Sequence, residues 1–185
     1  ASPIAPSGNA CSVPGIAPEV SSSQSVTLGL SAPAGSQVQL SNSPSFGGAG
    51  WVAAASTLAW QLSAGEGQHT IYARFRDAQG LESPTLAAQV TVDRTPPTGY
   101  AWLRKSGGGT WLEILAHDTR SQVAEMQISS DAGAKTTWQP FQPELEINLQ
   151  SDTIYVRLRD AAGNVTDPFA ASPASPIWIP LAVNG

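Results

Sequence analysis

Few residues in this chain are able to act as nucleophiles or general bases. The 185 residues include two histidines and one cysteine. His69 and His117 fall at the ends of predicted strands, and Cys11 lies in a Pro- and Ser-rich segment. Hydrolysis needs a nucleophile beside a base, or two carboxylates in a cleft, and the sequence carries neither a Gly-x-Ser-x-Gly nor a His-Glu-x-x-His motif. The sequence therefore predicts a protein that is not an enzyme, with Cys11 in an apolar contact or an intermolecular disulfide.

Arginines alternate with apolar residues in two similar segments, and each segment also carries a tyrosine. These residues are Tyr72, Arg74, Arg76, Tyr155, Arg157 and Arg159. Because guanidinium groups stack on aromatic rings, we expect an outer-face ladder of arginines and tryptophans. The tryptophans within reach are Trp51, Trp60, Trp138 and Trp178. The alternatives are a sugar platform, in which exposed rings stack on pyranose faces, and a protein interface.

The composition excludes several classes of partner. Charged residues make up 12% of the chain, and nine cations against 14 acidic residues give a net charge of -5. A nucleic-acid binder needs clustered Lys and Arg, so nucleic acid and anionic membranes are not expected partners. Apolar runs such as Trp51–Ala55 are far shorter than the roughly 20 residues that span a bilayer, so no membrane insertion is expected.

An internal repeat predicts two domains. Residues 70–80 match residues 153–163 at an offset of 83 residues, with eight of eleven positions identical. A period near 85 residues exceeds that of solenoid repeats, so each copy is predicted to be a whole domain. Apolar residues alternate at Ile71, Ala73 and Phe75, which indicates strands with one buried face. The predicted fold is all-β, with two tandem antiparallel immunoglobulin-like sandwiches at 26–94 and 95–185, divided at the Pro pair after Thr95.

The repeated segment also resembles a known family. The pattern Tyr-x-Arg-x-Arg-Asp-Ala-x-Gly at 72–80 and 155–163, with Asp-x-Thr-Pro-Pro at 93–97, is similar to the bacterial immunoglobulin-like repeats of secreted and cell-surface proteins. The resemblance covers most of the chain from about Val26. It implies that the motif forms the penultimate strand and its turn, and that the Asp-x-Thr-Pro-Pro stretch closes one domain and opens the next.

The aspartates of these motifs have two interpretations. Asp77 and Asp160 each precede a Gly by three residues, which is typical of an Asp that caps a turn with a left-handed Gly. The resemblance adds a calcium hypothesis, in which Asp77, Asp93 and Asp118 approach one another at the domain junction. Calcium takes six to eight oxygens and no Asp-x-Asp-x-Asp loop is present, so capping is preferred and no cofactor is expected.

The first 25 residues form a predicted extended arm rich in Pro and Ser. Its apolar residues and thiol, Ile4, Cys11, Val13 and Ile16, are predicted to take part in assembly with a neighbouring subunit by strand addition. The scarcity of Lys and the opening Ala1-Ser2-Pro3 favour a secreted or cell-surface location. The sequence thus favours a non-catalytic structural protein, a fibre subunit that binds itself or other surface proteins. An accessory carbohydrate-binding module is the alternative.

Overall fold

The regular elements of the structure are all β-strands. The computed structural model describes residues 19–148, 151 and 153–173, and the backbone of residues 12–17. These residues form two compact units. The first contains the described residues up to Arg94 together with 161–163, and the second contains the described residues of 95–160 and 164–173. No helix in the described part of the chain has the length and hydropathy of a membrane span.

The first unit is a sandwich of two sheets. Its strands are β1 (Ser12–Ala17), β2 (Val20–Ser21), β3 (Ser25–Ser31), β4 (Gln37–Ser41), β5 (Trp51–Ala53), β6 (Thr57–Gln61), β7 (Gly67–Arg76) and β8 (Leu86–Val92). One sheet has the order β1-β3-β6 and the other β2-β8-β7-β4-β5. All pairs are antiparallel except β2 with β8. Alternate residues point inward, so Leu28, Val38 and Phe75 meet in one core cluster.

The second unit repeats this plan. Its strands are β9 (Thr98–Ser106), β10 (Gly109–His117), β11 (Val123–Ser129), β12 (Gln139–Pro140), β13 (Glu144–Ile147), β14 (Ile154–Asp160) and β15 (Phe169–Pro173). The strands are hydrogen-bonded in the order β12-β11-β14-β15-β9-β10-β13, with β9, β10 and β13 in one layer and the other four in the second. A short parallel pairing of β15 with β9 joins the layers. Leu112, Met126 and Leu158, each 0% exposed, lie in its core.

The predicted burial in the repeated segments is confirmed. Ile71, Phe75, Ile154 and Leu158 are each at most 2% exposed. In β14 buried and half-buried residues alternate along the whole strand, which is the period of two expected for a strand with one buried face.

The N-terminal part of the first unit differs from the prediction. The predicted bounds placed the first sandwich at 26–94, but β1 and β2 begin at Ser12 and Val20. Strand β1 pairs with β3 of the same chain, with Ile16 opposite Leu28, so the positions of Val13 and Ile16 belong to the unit's own sheet. The sequence did not indicate this strand because Pro14 and Gly15 are uncommon inside strands. The register of the β1–β3 pairing shifts between Ser12 and Gly15. Ile4 and Cys11 lie outside the described residues.

Candidate functional site

The outer face of the first unit holds a contact set of arginines and aromatic rings. Strands β5, β4 and β7 lie side by side, so Trp51, Gln39 and Arg74 are neighbours in register. The guanidinium carbon of Arg76 lies 4.5 Å from the centroid of the Trp51 ring, and that of Arg74 lies 5.5 Å from it. Arg74 also covers the ring of Phe46 at 4.8 Å. We call this set the first Arg–aromatic face.

Hydrogen bonds fix the arginines of this face over the rings. The Arg74 Nε donates to Gln39 Oε1 at 2.5 Å, and its Nη1 lies 3.4 Å from the Glu82 carboxylate. Arg76 donates to Gln37 Oε1. Because these bonds hold guanidinium groups against the rings, the arginines are half-buried rather than fully exposed, and the Arg74 side chain keeps 33% of its exposure.

The second unit carries a shorter version of the same arrangement. Arg159 of β14 covers the ring of Trp138 at 4.4 Å from the ring centroid. Both its Nε and its Nη2 donate to Glu125 of β11, the strand paired with β14. The set formed by Trp138, Glu125 and Arg159 is the second Arg–aromatic face. The structure therefore brings one ring and one arginine together here, against two rings and two arginines in the first unit.

Other residues predicted for the ladder lie elsewhere. Tyr72 and Tyr155 stand further along β7 and β14, opposite Ser41 and Ser129. Arg157 donates from Nη2 to the carbonyl of Ala132 at 3.3 Å. Trp60 does not join the first face. It lies on β6, in the other sheet, packs against the core, and donates from Nε1 to Asn42 Oδ1 at 2.7 Å. Trp178 lies outside the described residues.

Two buried glutamines anchor these faces and were missed by the sequence analysis. Gln39 and Gln127 are 6% and 7% exposed, each on the strand that precedes a tryptophan of these faces. Gln39 Nε2 donates to the carbonyl of Ala49 at 2.6 Å, and Gln127 Nε2 donates to the carbonyl of Thr136. The signal was present in the repeat, since both glutamines belong to a Gln-x-Ser segment at matching places.

The aspartates of the repeated motif cap hairpin turns. Asp77 Oδ1 accepts the backbone N–H groups of Gln79 and Leu81 at 2.9 and 2.8 Å, and Gly80 has a φ of 86°. Asp160 Oδ1 accepts the N–H of Asn164 at 2.8 Å, and Gly163 has a φ of 91°. A left-handed backbone at both glycines is what an Asp-capped turn requires.

Asp77 lies far from Asp93, with which the calcium hypothesis grouped it. Asp77 follows the last residue of β7, whereas Asp93 follows Val92, which pairs with Gly67 at the first residue of β7. The ten residues of β7 separate them, which is about 33 Å at roughly 3.3 Å per residue. Asp118 belongs to the second unit, where its Oδ1 accepts the N–H groups of Arg120 and Ser121. Asp77 and Asp93 are therefore too far apart to bind the same calcium ion, because a full strand lies between them.

The two histidines lie in different surroundings. His69 Nδ1 lies 3.0 Å from Ser63 Oγ, which resembles a base beside a hydroxyl nucleophile. In a Ser-His-Asp triad a carboxylate bonds the second ring nitrogen, whereas in the described part of the chain Nε2 of His69 is buried without a hydrogen-bond partner. His117 is exposed at the end of β10, where its carbonyl accepts a hydrogen bond from Thr98 Oγ1 at 3.3 Å.

A third surface, on the outside of β9, β10 and β13, was not predicted. Register places Tyr100 opposite Leu115, Trp102 opposite Glu113, and Arg104 opposite Trp111. Glu144 and Glu146 of β13 continue these rows, opposite Glu113 and Trp111. Tyr100 and Leu115 are 70% and 62% exposed. We call this set the β9–β10–β13 face.

Arg104 pairs with two of the three carboxylates on the β9–β10–β13 face. Arg104 donates to Glu113 from Nε and to Glu144 from Nη2, and its guanidinium carbon lies 5.9 Å from the Trp111 ring centroid. The hydrogen bond to Glu113, reinforced by Glu144, raises the pKa of Arg104 above its usual value. The guanidinium is therefore a fixed positive charge between two carboxylates.

Comparison with solved structures finds a likeness to the fibronectin(III)-like modules of CbhA from Clostridium thermocellum. The TM-score is 0.49 at 16% sequence identity, covering 89% of this chain and 95% of that one. No family model and no curated protein matches the sequence.

Proposed function

We propose that this chain is a non-catalytic structural part of an exported protein, a subunit of a cell-surface or extracellular fibre. The observation that supports the proposal is that polar side chains in both units make their hydrogen bonds within their own unit. The arginines and glutamines of both Arg–aromatic faces bond within their own unit, and the aspartates of the repeated motif cap turns. Such groups stiffen a sandwich and are not left to bind a substrate.

Self-association in this proposal proceeds through a strand edge. Most edge strands of the described sheets are protected from pairing with another chain because they are short or charged. Strands β2 and β12 have two residues each, and β13 carries Glu144 and Glu146. Strand β6 has five residues, no charge and no proline. Its Gln61 carbonyl accepts a hydrogen bond from Asn42 Nδ2 at 3.0 Å, which covers one end. The segment 57–60 is therefore the edge best suited to pair with another copy.

The experiment compares oligomer size among variants by size-exclusion chromatography with light scattering. Ala59→Lys places a charge on the exposed middle of β6 and should reduce self-association, because an edge lysine opposes strand pairing. Ala78→Lys adds the same charge at an exposed turn position and is the matched control. Deletion of residues 1–11 leaves β1 intact and tests the arm separately. Equal oligomer sizes for Ala59→Lys and Ala78→Lys would reject the edge.

The carbohydrate alternative does not fit the Arg–aromatic faces. A ring that stacks on a sugar must present a free face, but Trp51 is covered by Arg74 and Arg76, and Trp138 is covered by Arg159. Only a surface with uncovered rings would support that function.

A further inference from the structure

The rings of the β9–β10–β13 face stand outside the core of their unit. Alternation along β9 sends Ala101 and Leu103 into the core cluster and leaves Tyr100, Trp102 and Arg104 on the outside. Along β10, Leu112 and Ile114 point inward, so Trp111, Glu113 and Leu115 point outward. Three aromatic rings therefore lie on one surface without contributing to the core that folds the unit.

The first unit shows that the fold does not require rings there. Its corresponding sheet contains β3 and β6, whose core-facing residues include Leu28 and Trp60. The outward residues of these two strands are small or polar: Ser25, Thr27, Gly29, Ser31, Thr57, Ala59 and Gln61. Strand β1 of this sheet has no aromatic residue either. Because the same type of sheet forms with this outer face, the rings of the second unit need an explanation other than folding.

The layout of the β9–β10–β13 face suits a polyhydroxylated ligand. From Tyr100 to the row of Arg104 and Trp111 the rings extend over four residues, about 13 Å at roughly 3.3 Å per residue. Tyr100 is 70% exposed and offers its ring to an apolar pyranose face. The carboxylates of Glu113 and Glu144, which Arg104 bonds, and that of Glu146 lie in the same rows as the rings.

The charges of this face decide among ligand classes. Three carboxylates against the single guanidinium of Arg104 make it negative, which disfavours an anionic polysaccharide. Glutamates are depleted in the cores of protein interfaces, where rings are otherwise enriched, so their alternation with the rings disfavours a protein partner. We propose that the β9–β10–β13 face is a binding site for a neutral polysaccharide, with Tyr100 and Trp102 as the stacking rings and Trp111, over which Arg104 lies, in the next row. This site goes beyond the proposed structural function and involves none of the residues of β6.

Affinity gel electrophoresis of the intact chain tests this site. Native gels that contain hydroxyethylcellulose or a neutral galactomannan should retard the protein relative to plain gels, and gels that contain polygalacturonic acid should not. Tyr100→Ala and Trp102→Ala should each lower the association constant about tenfold or more, as loss of a central ring does at other binding surfaces. Tyr100→Phe keeps the stacking ring and should keep the retardation.

Matched leucines provide the control. Leu115→Ala removes an exposed side chain beside Tyr100 and should weaken retardation, whereas Leu81→Ala removes a similarly exposed leucine from the first unit and should not. Thermal unfolding of each variant verifies the fold. Should Trp102→Ala fail to fold, NMR titration of the wild-type chain with hydroxyethylcellulose decides: the indole N–H signal of Trp102 should shift, and those of Trp51 and Trp138 should not.

Three results would overturn the proposal. The first is no retardation of the intact chain by either neutral polysaccharide. The second is retardation that Tyr100→Ala and Trp102→Ala leave unchanged. The third is a smaller oligomer for Tyr100→Ala, which would make the face a contact between copies of the chain. A negative result for self-association through β6 would not change the retardation by polysaccharides, so the two proposals are tested separately.

Discussion

Gly99 lies so close to Leu158 that a β-carbon on residue 99 would stand 2.7 Å from Leu158 Cδ1. It would also stand 3.1 Å from the carbonyl oxygen of Leu115. Leu158 is 0% exposed and its neighbours are packed, so neither group can retreat cheaply. The close approach of β9 to the core of the second unit therefore depends on glycine at this position.

Gly99→Ala should destabilise the second unit by about 1–3 kcal/mol, the usual cost of overpacking a core. Urea unfolding monitored by tryptophan fluorescence measures it. Gly133→Ala is the control, since its added β-carbon would meet Asp131 Oδ1 at an ordinary 3.5 Å. Similar stabilities for the two variants would contradict this account of the packing.

Phe75 and Arg74 are adjacent on β7 but face opposite sides of the sheet. Phe75 is 1% exposed, so Phe75→Ala should leave a cavity and cost about 3–5 kcal/mol. Arg74→Ala removes a half-buried side chain that covers two rings and should cost less, about 1–2 kcal/mol. Equal losses in denaturant unfolding would show that the assignment of the faces is wrong.

The pair of Arg159 and Trp138 should depend on the planar shape of the guanidinium. Arg159→Lys keeps the charge but loses the two-nitrogen contact with Glu125 and the stacking on the ring, so we expect a loss of about 1 kcal/mol. Glu125→Gln keeps an acceptor and leaves the ring covered, so it should cost less. A larger loss for Glu125→Gln would assign the stability to charge pairing instead of stacking.

Asp160 and Asp77 cap equivalent turns but differ in burial. Asp160 is 3% exposed and bonds both the N–H and the side-chain amide of Asn164, so Asp160→Ala should cost about 1–3 kcal/mol. Asp77→Ala should cost less, because the half-buried turn of Asp77 is accessible to water.

If the carboxylates serve as turn caps, EDTA should leave the Tm of the intact chain unchanged. A fall in Tm with EDTA, reversed by added calcium, would favour a metal site.

The repeat and the alternation were sufficient to predict the fold but not every surface. The matching segments at 70–80 and 153–163 predicted a buried strand followed by a capped turn in each unit, because the eleven residues cover both the strand and the turn. Trp60 was misplaced because its face depends on its register with β3, which a single segment does not encode. The β9–β10–β13 face was missed because Trp102 and Leu103 are both apolar, so alternation alone does not say which one points outward.

The β6 edge could not be found from sequence either. The segment 57–61 shows period-two apolar residues like other strands, and its position at a sheet edge follows from pairings with β3 far away in the chain. Short strands, Pro140 and the glutamates of β13 protect several of the other edges.

Sedimentation equilibrium of the intact chain tests the proposed structural function most directly. Measured over about a hundredfold range of concentration, the mean mass should rise steadily above 19.2 kDa, since edge pairing between copies follows mass action. A mass that stays at 19.2 kDa throughout that range would contradict self-association and the fibre function with it.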